Sequence, residues 1–103
     1  MITVSVLYPN GTNTKFDMNY YLAKHIPMVK QKLGPACKSV VVEEGIAGGV
    51  PGAPAAYVAL ARLAFDSVDA FQAAFGPHTE AIMGDIPNYT NVQPVVQISE
   101  VKM

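Results

Sequence analysis

The residues best suited to chemistry are a tyrosine and a histidine four positions apart, Tyr21 and His25. An imidazole has an ordinary pKa of about 6.5, so His25 could donate or accept a proton near neutral pH. Residues four apart meet on one side of a helix, so Tyr21 could orient that imidazole or bind a ligand oxygen. The pair predicts a general acid–base site, with His25 as the catalytic residue and Tyr21 as a substrate-binding one.

The segment that carries the pair, residues 16–35, reads as one amphipathic helix. Asp17 is a good N-cap, and Gly34-Pro35 ends the pattern. His25 falls about 60°, and Tyr21 about 100°, from the centre of an apolar stripe, at the rim of the core, where a pocket could open. The stripe is formed by residues that recur every three or four positions: Met18, Leu22, Ile26, Val29 and Leu33.

A structural role for His25 stays open beside the chemical one. Pro27 cannot donate a hydrogen bond to the carbonyl of Ala23, so the helix lacks one bond there and His25 could organise the irregular turn. Tyr21 could be an amphipathic side chain at the core edge. Tyr20 is expected to point roughly opposite the stripe, towards water.

Composition bounds the class of protein. The chain has 103 residues, of which 50% are hydrophobic and 15% charged, so we expect a single folded domain over residues 1–103. Its net charge of −1 and its scattered basic residues argue against nucleic-acid binding. One cysteine, Cys37, excludes an intramolecular disulfide and favours a reducing compartment, so the cytoplasm is the expected location.

Other classes of site find little support. The N-terminus resembles neither a signal peptide nor a membrane-spanning helix, so no membrane association is expected. The two histidines, His25 and His78, lack the spacing of a metal site. The glycine-rich residues 45–49 do not have the pattern of a phosphate-binding loop. We therefore predict no metal and no cofactor.

Alternating and helical patterns predict the order βαββαβ, an α+β, ferredoxin-like fold with an antiparallel four-stranded sheet and two helices on one face. The predicted strands are residues 2–8, 37–46, 56–65 and 93–101. The helices are the segment above and one that begins at Asp66, followed by a short helical piece at residues 78–83.

Both faces of the third predicted strand are largely apolar. One carries Ala59, Ala61 and Leu63, and the other carries Val58 and Leu60 around Arg62. Such a strand is typically buried on two sides. The helices can cover only one face, so a second copy of the chain is the expected cover and we predict a homodimer. Arg62 is expected to pair with Glu43 or Glu44 in the neighbouring strand.

Residues 16–27 (FDMNYYLAKHIP) resemble the signature of the EthD family, roughly Phe-Asp-x-x-Tyr-Tyr-x-x-x-His-x-Pro. Residues 85–91 (DIPNYTN) resemble the family's loop before the last strand, and the first strand ending in Tyr8-Pro9 also fits. The resemblance implies two ferredoxin-like subunits packed sheet to sheet as a dimeric α+β barrel. Relatives that share the barrel include cofactor-free monooxygenases, haem-degrading enzymes, lactone isomerases and polyketide cyclases, so the fold does not choose the chemistry.

The family motifs contain Tyr21, His25 and Tyr89. We predict that Tyr89 and its neighbour Asn88 also bind the substrate. Loop residues on a rigid scaffold often bind ligands, although Asn88 could equally serve a turn and Tyr89 the core. The leading hypothesis is a small apolar or aromatic ligand handled by proton transfer or cofactor-independent oxidation. A non-catalytic carrier for an oxygenase pathway and a polyketide-type cyclase or decarboxylase are the alternatives.

Overall fold

Four antiparallel strands form one sheet in the order β2-β3-β1-β4. The computed structural model describes all residues, 1–103. The strands are β1 (Ile2–Pro9), β2 (Ser39–Glu44), β3 (Tyr57–Phe65) and β4 (Val95–Glu100). Each of the two crossovers passes over one strand: β3 lies between β1 and β2, and β1 lies between β3 and β4. Crossovers of the same hand place both helical runs on the same side of the sheet. This arrangement confirms the α+β, ferredoxin-like prediction.

The helical segments are short and interrupted. The first run comprises α1 (Met18–Tyr20), a π-helical turn (Tyr21–His25) and α2 (Ile26–Leu33). The second comprises α3 (Val68–Phe75) and α4 (Thr79–Gly84), and short 3₁₀ turns follow α2, α3 and α4. No helix has the length and apolar character that crossing a membrane requires.

The core lies between the helices and one face of the sheet. Alternation along β1 and β3 turns every second residue to this face, which explains why the two strands bury matching rows of side chains. The buried residues of these rows are Ile2, Val4, Tyr8, Ala59, Ala61, Leu63 and Phe65. From the helices, Val29, Leu33 and Ile82 complete the core.

The other side of the sheet, here called the open face, is covered by no helix. It carries half-buried Leu7, Val58 and Leu60 beside the exposed Val41. Arg62 Nη1 donates to Glu43 Oε2 on this face at 3.1 Å, as the sequence predicted. The open face therefore combines apolar side chains with one cross-strand ion pair.

The first helical run departs from the regular helix that the apolar stripe predicted. Ile26 N–H donates to the Tyr21 carbonyl, five residues back, and Pro27 directly after has no N–H to give. The wider turn rotates Tyr21 and His25 into the core, where they are 2% and 4% exposed. Leu22, predicted to belong to the buried stripe, is instead 50% exposed.

The bounds of several elements also differ from the sequence-based expectation, and the last strand is Val95–Glu100 where residues 93–101 were predicted. The helix predicted to begin at Asp66 begins at Val68, because extended Ser67 is its N-cap and accepts from Ala70 N–H at 3.1 Å. The second strand is shorter than predicted and starts at Ser39. The N-cap of the first run is Asp17, as predicted, and its carboxylate accepts from Tyr20 N–H at 3.0 Å.

Candidate functional site

A cavity of about 220 Å³ lies between the sheet and the helices. Fifteen of its 18 lining residues are hydrophobic, and no lysine, arginine, aspartate or glutamate is among them. Its floor comes from β1, β3 and β4, and its walls come from the two helical runs. Exposed Met83 and Val96 mark the side on which the cavity meets solvent.

The polar wall of the cavity consists of His25 and three tyrosines that pack ring against ring. Tyr21 stacks on His25, with ring centroids 5.3 Å apart and an interplanar angle of 16°. Tyr89 contacts His25 at 4.6 Å and Tyr21 at 4.9 Å between centroids. Tyr8 meets both tyrosines edge-on. This close packing holds the four side chains in fixed orientations.

His25 is held from behind by a carboxylate. Its Nδ1 lies 2.9 Å from Oδ2 of Asp85, which comes from the end of α4 and does not line the cavity. An ionised carboxylate only accepts, so Nδ1 carries the proton and donates a hydrogen bond to Asp85. In the neutral imidazole Nε2 is then a free acceptor on the cavity side.

A chain of hydroxyl groups ends at this acceptor. The Tyr89 hydroxyl lies 3.4 Å from Nε2 of His25, and it lies 2.7 Å from the Tyr8 hydroxyl. With Nε2 accepting, Tyr89 donates to His25 and Tyr8 donates to Tyr89. The contact between Tyr89 and His25 is the longest and weakest link of the chain.

Burial lowers the pKa of His25 below its ordinary value, and the hydrogen bond and charge of Asp85 offset only part of this effect. The imidazole is therefore neutral at pH 7. Burial also raises the pKa values of Tyr8, Tyr21 and Tyr89. All three hydroxyl groups remain protonated near neutral pH and can act as hydrogen-bond donors.

Asp85 has its own supports. Its Oδ1 accepts from the Tyr20 hydroxyl at 2.7 Å and from the Asn88 amide at 2.9 Å. Partial burial acts to raise the pKa of Asp85, but the hydrogen bonds outweigh it and hold the pKa below the ordinary value. The carboxylate is thus ionised and fixed towards Nδ1 of His25.

Local backbone structure brings these groups together. The π-helical turn points Tyr21 and His25 into the cavity, and the 3₁₀ turn Ile86–Asn88 places Asp85 and Tyr89 on either side of the imidazole. The backbone N–H of Asp17 donates to the Tyr89 carbonyl at 2.7 Å. This bond fastens the loop to the start of the first helical run.

The structure brings three of the four predicted site residues, Tyr21, His25 and Tyr89, into the cavity wall. Asn88 lies outside it, exposed, with its amide on Asp85. Tyr20, expected to face water, is half-buried and holds Asp85.

Sequence reasoning missed Tyr8 and Asp85 as members of the site. The sequence places Tyr8 in a strand without a role in the site, and its place in the Tyr8-Pro9 pair that fits the EthD family was the signal available for it. Asp85 opens the second family-like stretch, residues 85–91, and an acidic residue in a stretch that already holds Tyr89 was the signal available for it.

The arrangement can take up or release one proton at Nε2 while Asp85 stabilises the imidazolium. The tyrosine hydroxyls can hydrogen-bond an oxygen that gains negative charge. No group of three or more His, Cys, Asp or Glu side chains is placed to hold a metal ion.

This geometry defines a ferredoxin-like α+β protein with an apolar cavity between its sheet and helices. A family model described as the EthD domain matches residues 10–93, and the chain belongs to the EthD family. No curated protein matches the chain.

Two solved structures are similar. An EthD-like protein from Ralstonia eutropha JMP134 is 48% identical, with a TM-score of 0.94, over 99% of this chain and 92% of that one. An ethyl tert-butyl ether D (EthD) family protein from Bacillus halodurans C-125 is 17% identical, with a TM-score of 0.67, over 99% of both chains. The second likeness shows the fold alone.

Proposed function

We propose that the protein binds a small, largely apolar molecule in its cavity and moves a proton on that molecule, with Nε2 of His25 as general base. The observation that supports this most is the line of Asp85, His25 and Tyr89 at the wall of a cavity with no other charged group. A base of this kind works in a dry site, where water neither competes for the proton nor screens developing charge.

Each group has a separate task in this proposal. Asp85 is a positioning residue that keeps the proton of the neutral imidazole on Nδ1 and stabilises the imidazolium once it forms. Tyr21 and Tyr89 bind the oxygen of the ligand. Asn88, which lies outside the cavity, is given a supporting role on Asp85 in place of substrate binding.

Proton abstraction is the first step of several reactions. The carbanion or enolate that it leaves can be reprotonated elsewhere, can close a ring, or can react with oxygen without a cofactor. Turnover that continues without oxygen would favour isomerase or cyclase chemistry, and turnover that stops would favour oxidation. The step at His25 is common to all of them.

A carrier without catalysis is the second candidate. The observation that favours it is the internal satisfaction of the polar wall, where Tyr8, Tyr89, His25 and Asp85 already bond to one another. A carrier would bind its ligand without exchanging any of the ligand's hydrogen atoms with solvent.

We further propose that the working molecule is a homodimer formed through the open face. Apolar side chains on that face are left uncovered by the helices, and burying them against a second copy would remove them from water.

The proposed proton transfer is tested with 2-acetylnaphthalene in D₂O, with deuterium entering the methyl group next to the carbonyl followed by NMR. The wild-type protein is expected to accelerate this exchange, and His25→Gln to lose at least about 100-fold of the acceleration, the usual size of a general-base contribution. His78→Gln is the matched control, because His78 does not line the cavity. Equal exchange rates in wild type and His25→Gln would contradict the proposal.

A further inference from the structure

We propose that the cavity selects an uncharged carbonyl compound of about two fused rings and excludes the corresponding carboxylate. This inference rests on the proposed function, because it names the class of substrate on which His25 acts. It follows from the volume of the cavity, from the charge of its wall and from the grouping of its polar atoms.

Size gives the first argument. An apolar cavity of about 150 Å³ accommodates benzene. The cavity here, at about 220 Å³, has room for a larger body, such as two fused rings or one ring with a short chain. Its walls include Leu33, Phe71 and Ile82, which offer only apolar contact.

Charge gives the second argument. A carboxylate that enters an apolar cavity loses its hydration and needs a cation in return. The lining contains no lysine and no arginine. His25 does not replace them, because its imidazolium would already be paired with Asp85 at 2.9 Å. At neutral pH an incoming anion would meet a neutral imidazole beside an ionised carboxylate, and protonation of His25 would bring the net charge of this pair only to zero.

The distribution of polar groups gives the third argument. His25 and the three tyrosines form one cluster at one end of the cavity. The only other side-chain hydroxyl in the lining belongs to Thr79, and it donates to the carbonyl groups of Phe75 and Gly76. The site thus has a single polar end, which matches a ligand with one oxygen-bearing end and an apolar remainder.

A ketone can bind at the polar end of the cavity and exchange a proton with His25. The carbonyl oxygen accepts from the Tyr89 hydroxyl, which gives up its 3.4 Å contact with Nε2. Nε2 then takes a proton from the carbon next to the carbonyl, and the electron pair of that C–H bond moves to form an enolate. The tyrosine hydroxyls stabilise the enolate oxygen. In D₂O the proton on Nε2 exchanges with solvent, and return of a deuteron to the carbon labels the ketone and restores neutral His25.

Three ligands with the same naphthalene body test the inference on the wild-type protein: 2-acetylnaphthalene, 2-naphthamide and 2-naphthoate. They differ only in the group attached to the carbonyl carbon, which is methyl, amide nitrogen or carboxylate oxygen. Binding is measured by calorimetry near neutral pH, and deuterium uptake by the ketone methyl is followed in the same buffer.

The ketone and the amide are expected to bind, and the carboxylate to bind at least about tenfold more weakly, because its charge would be buried without a partner. Carboxylate binding as strong as that of the ketone, or no binding by any of the three, would overturn the inference. Binding of the ketone without accelerated deuterium uptake would support the charge selection while contradicting the proposed proton transfer, so the two failures are distinguishable.

Discussion

At the scale of single residues, His25 depends on neighbours that are distant in the chain. Burial keeps its imidazole neutral and so able to accept a proton, while Asp85 sets which nitrogen carries the proton. The pairing with Asp85 spans 60 positions of sequence. Spacing within one helix predicted Tyr21 beside His25. No local sequence pattern predicts that Asp85 contacts Nδ1.

Asp85→Asn is expected to slow deuterium exchange by about 100-fold or more, because the imidazole loses both its preferred tautomer and the carboxylate that stabilises its charged form. The readout is the exchange rate of 2-acetylnaphthalene against pH. Asp69→Asn, the same change at an exposed position of α3, is the control and should leave the rate unchanged.

The pH dependence carries a definite sign. The neutral imidazole is the active form, so the rate is high above the pKa of His25 and falls below it. Burial lowers that pKa, which places the acid limb of wild type below pH 6.5, the ordinary value. Asp85 acts to raise the pKa, so removing its charge moves the limb to still lower pH. A limb that moves upward in Asp85→Asn would contradict the assigned pairing.

At the scale of elements, the π-helical turn decides which side chains enter the cavity. The apolar stripe predicted a regular helix with Leu22 in the core and the pair of Tyr21 and His25 at its rim. Pro27 removes one donor, and the wider turn that precedes it turns Tyr21 and His25 fully inward. Sequence reasoning recognised the missing bond of Pro27, but the choice of a wider turn depends on how the whole core packs.

Truncation of two leucines tests this turn. Leu22→Ala is expected to change the free energy of unfolding by less than about 0.5 kcal/mol, as at an exposed site. Leu33→Ala, in the same helical run but buried, is expected to cost about 2–5 kcal/mol. Both are measured by urea unfolding. Similar large losses in the two variants would mean that Leu22 belongs to the core and that the helix is regular.

The order of strands and helices was predictable because periodicity of two and of three to four residues reports burial on one face. The starts of elements were harder to predict. Asp66 and Ser67 are both good caps, and only the extended backbone of Ser67 selects it. The 3₁₀ turn that carries Asp85 towards His25 lies in residues 85–91, for which the sequence indicated only a loop before the last strand.

At the scale of the whole molecule, the sheet has two unlike faces. One is closed by the helices and encloses the cavity, and the other presents Leu60, Val58 and Leu7 without a helical cover. The βαββαβ order predicted helices on one face only, and the apolar character of both faces of β3 predicted a second copy of the chain as the cover of the other face. The EthD family resemblance implied the same dimer. The dimer stays a prediction about how the open face is used.

Leu60→Lys tests that prediction. In the monomer the new ammonium group would lie opposite Glu43 on β2, which favours the folded subunit. In a dimer it would be removed from water beside Glu43, whose carboxylate already pairs with Arg62, so sedimentation is expected to show a monomer. Gln72→Lys, on the exposed side of α3, makes a similar charge change away from the open face and should leave the dimer intact. A dimer that persists in Leu60→Lys would place the interface elsewhere.

The measurement that tests the central claim most directly is ¹⁵N NMR of the His25 imidazole as pH is varied, with and without 2-acetylnaphthalene. The expected result is a neutral ring at pH 7 with its proton on Nδ1, a pKa below 6.5, and a shift at Nε2 when the ketone binds. A proton on Nε2, a pKa above 6.5, or an Nε2 resonance that does not shift when the ketone binds would contradict the role of His25 as the base of this cavity.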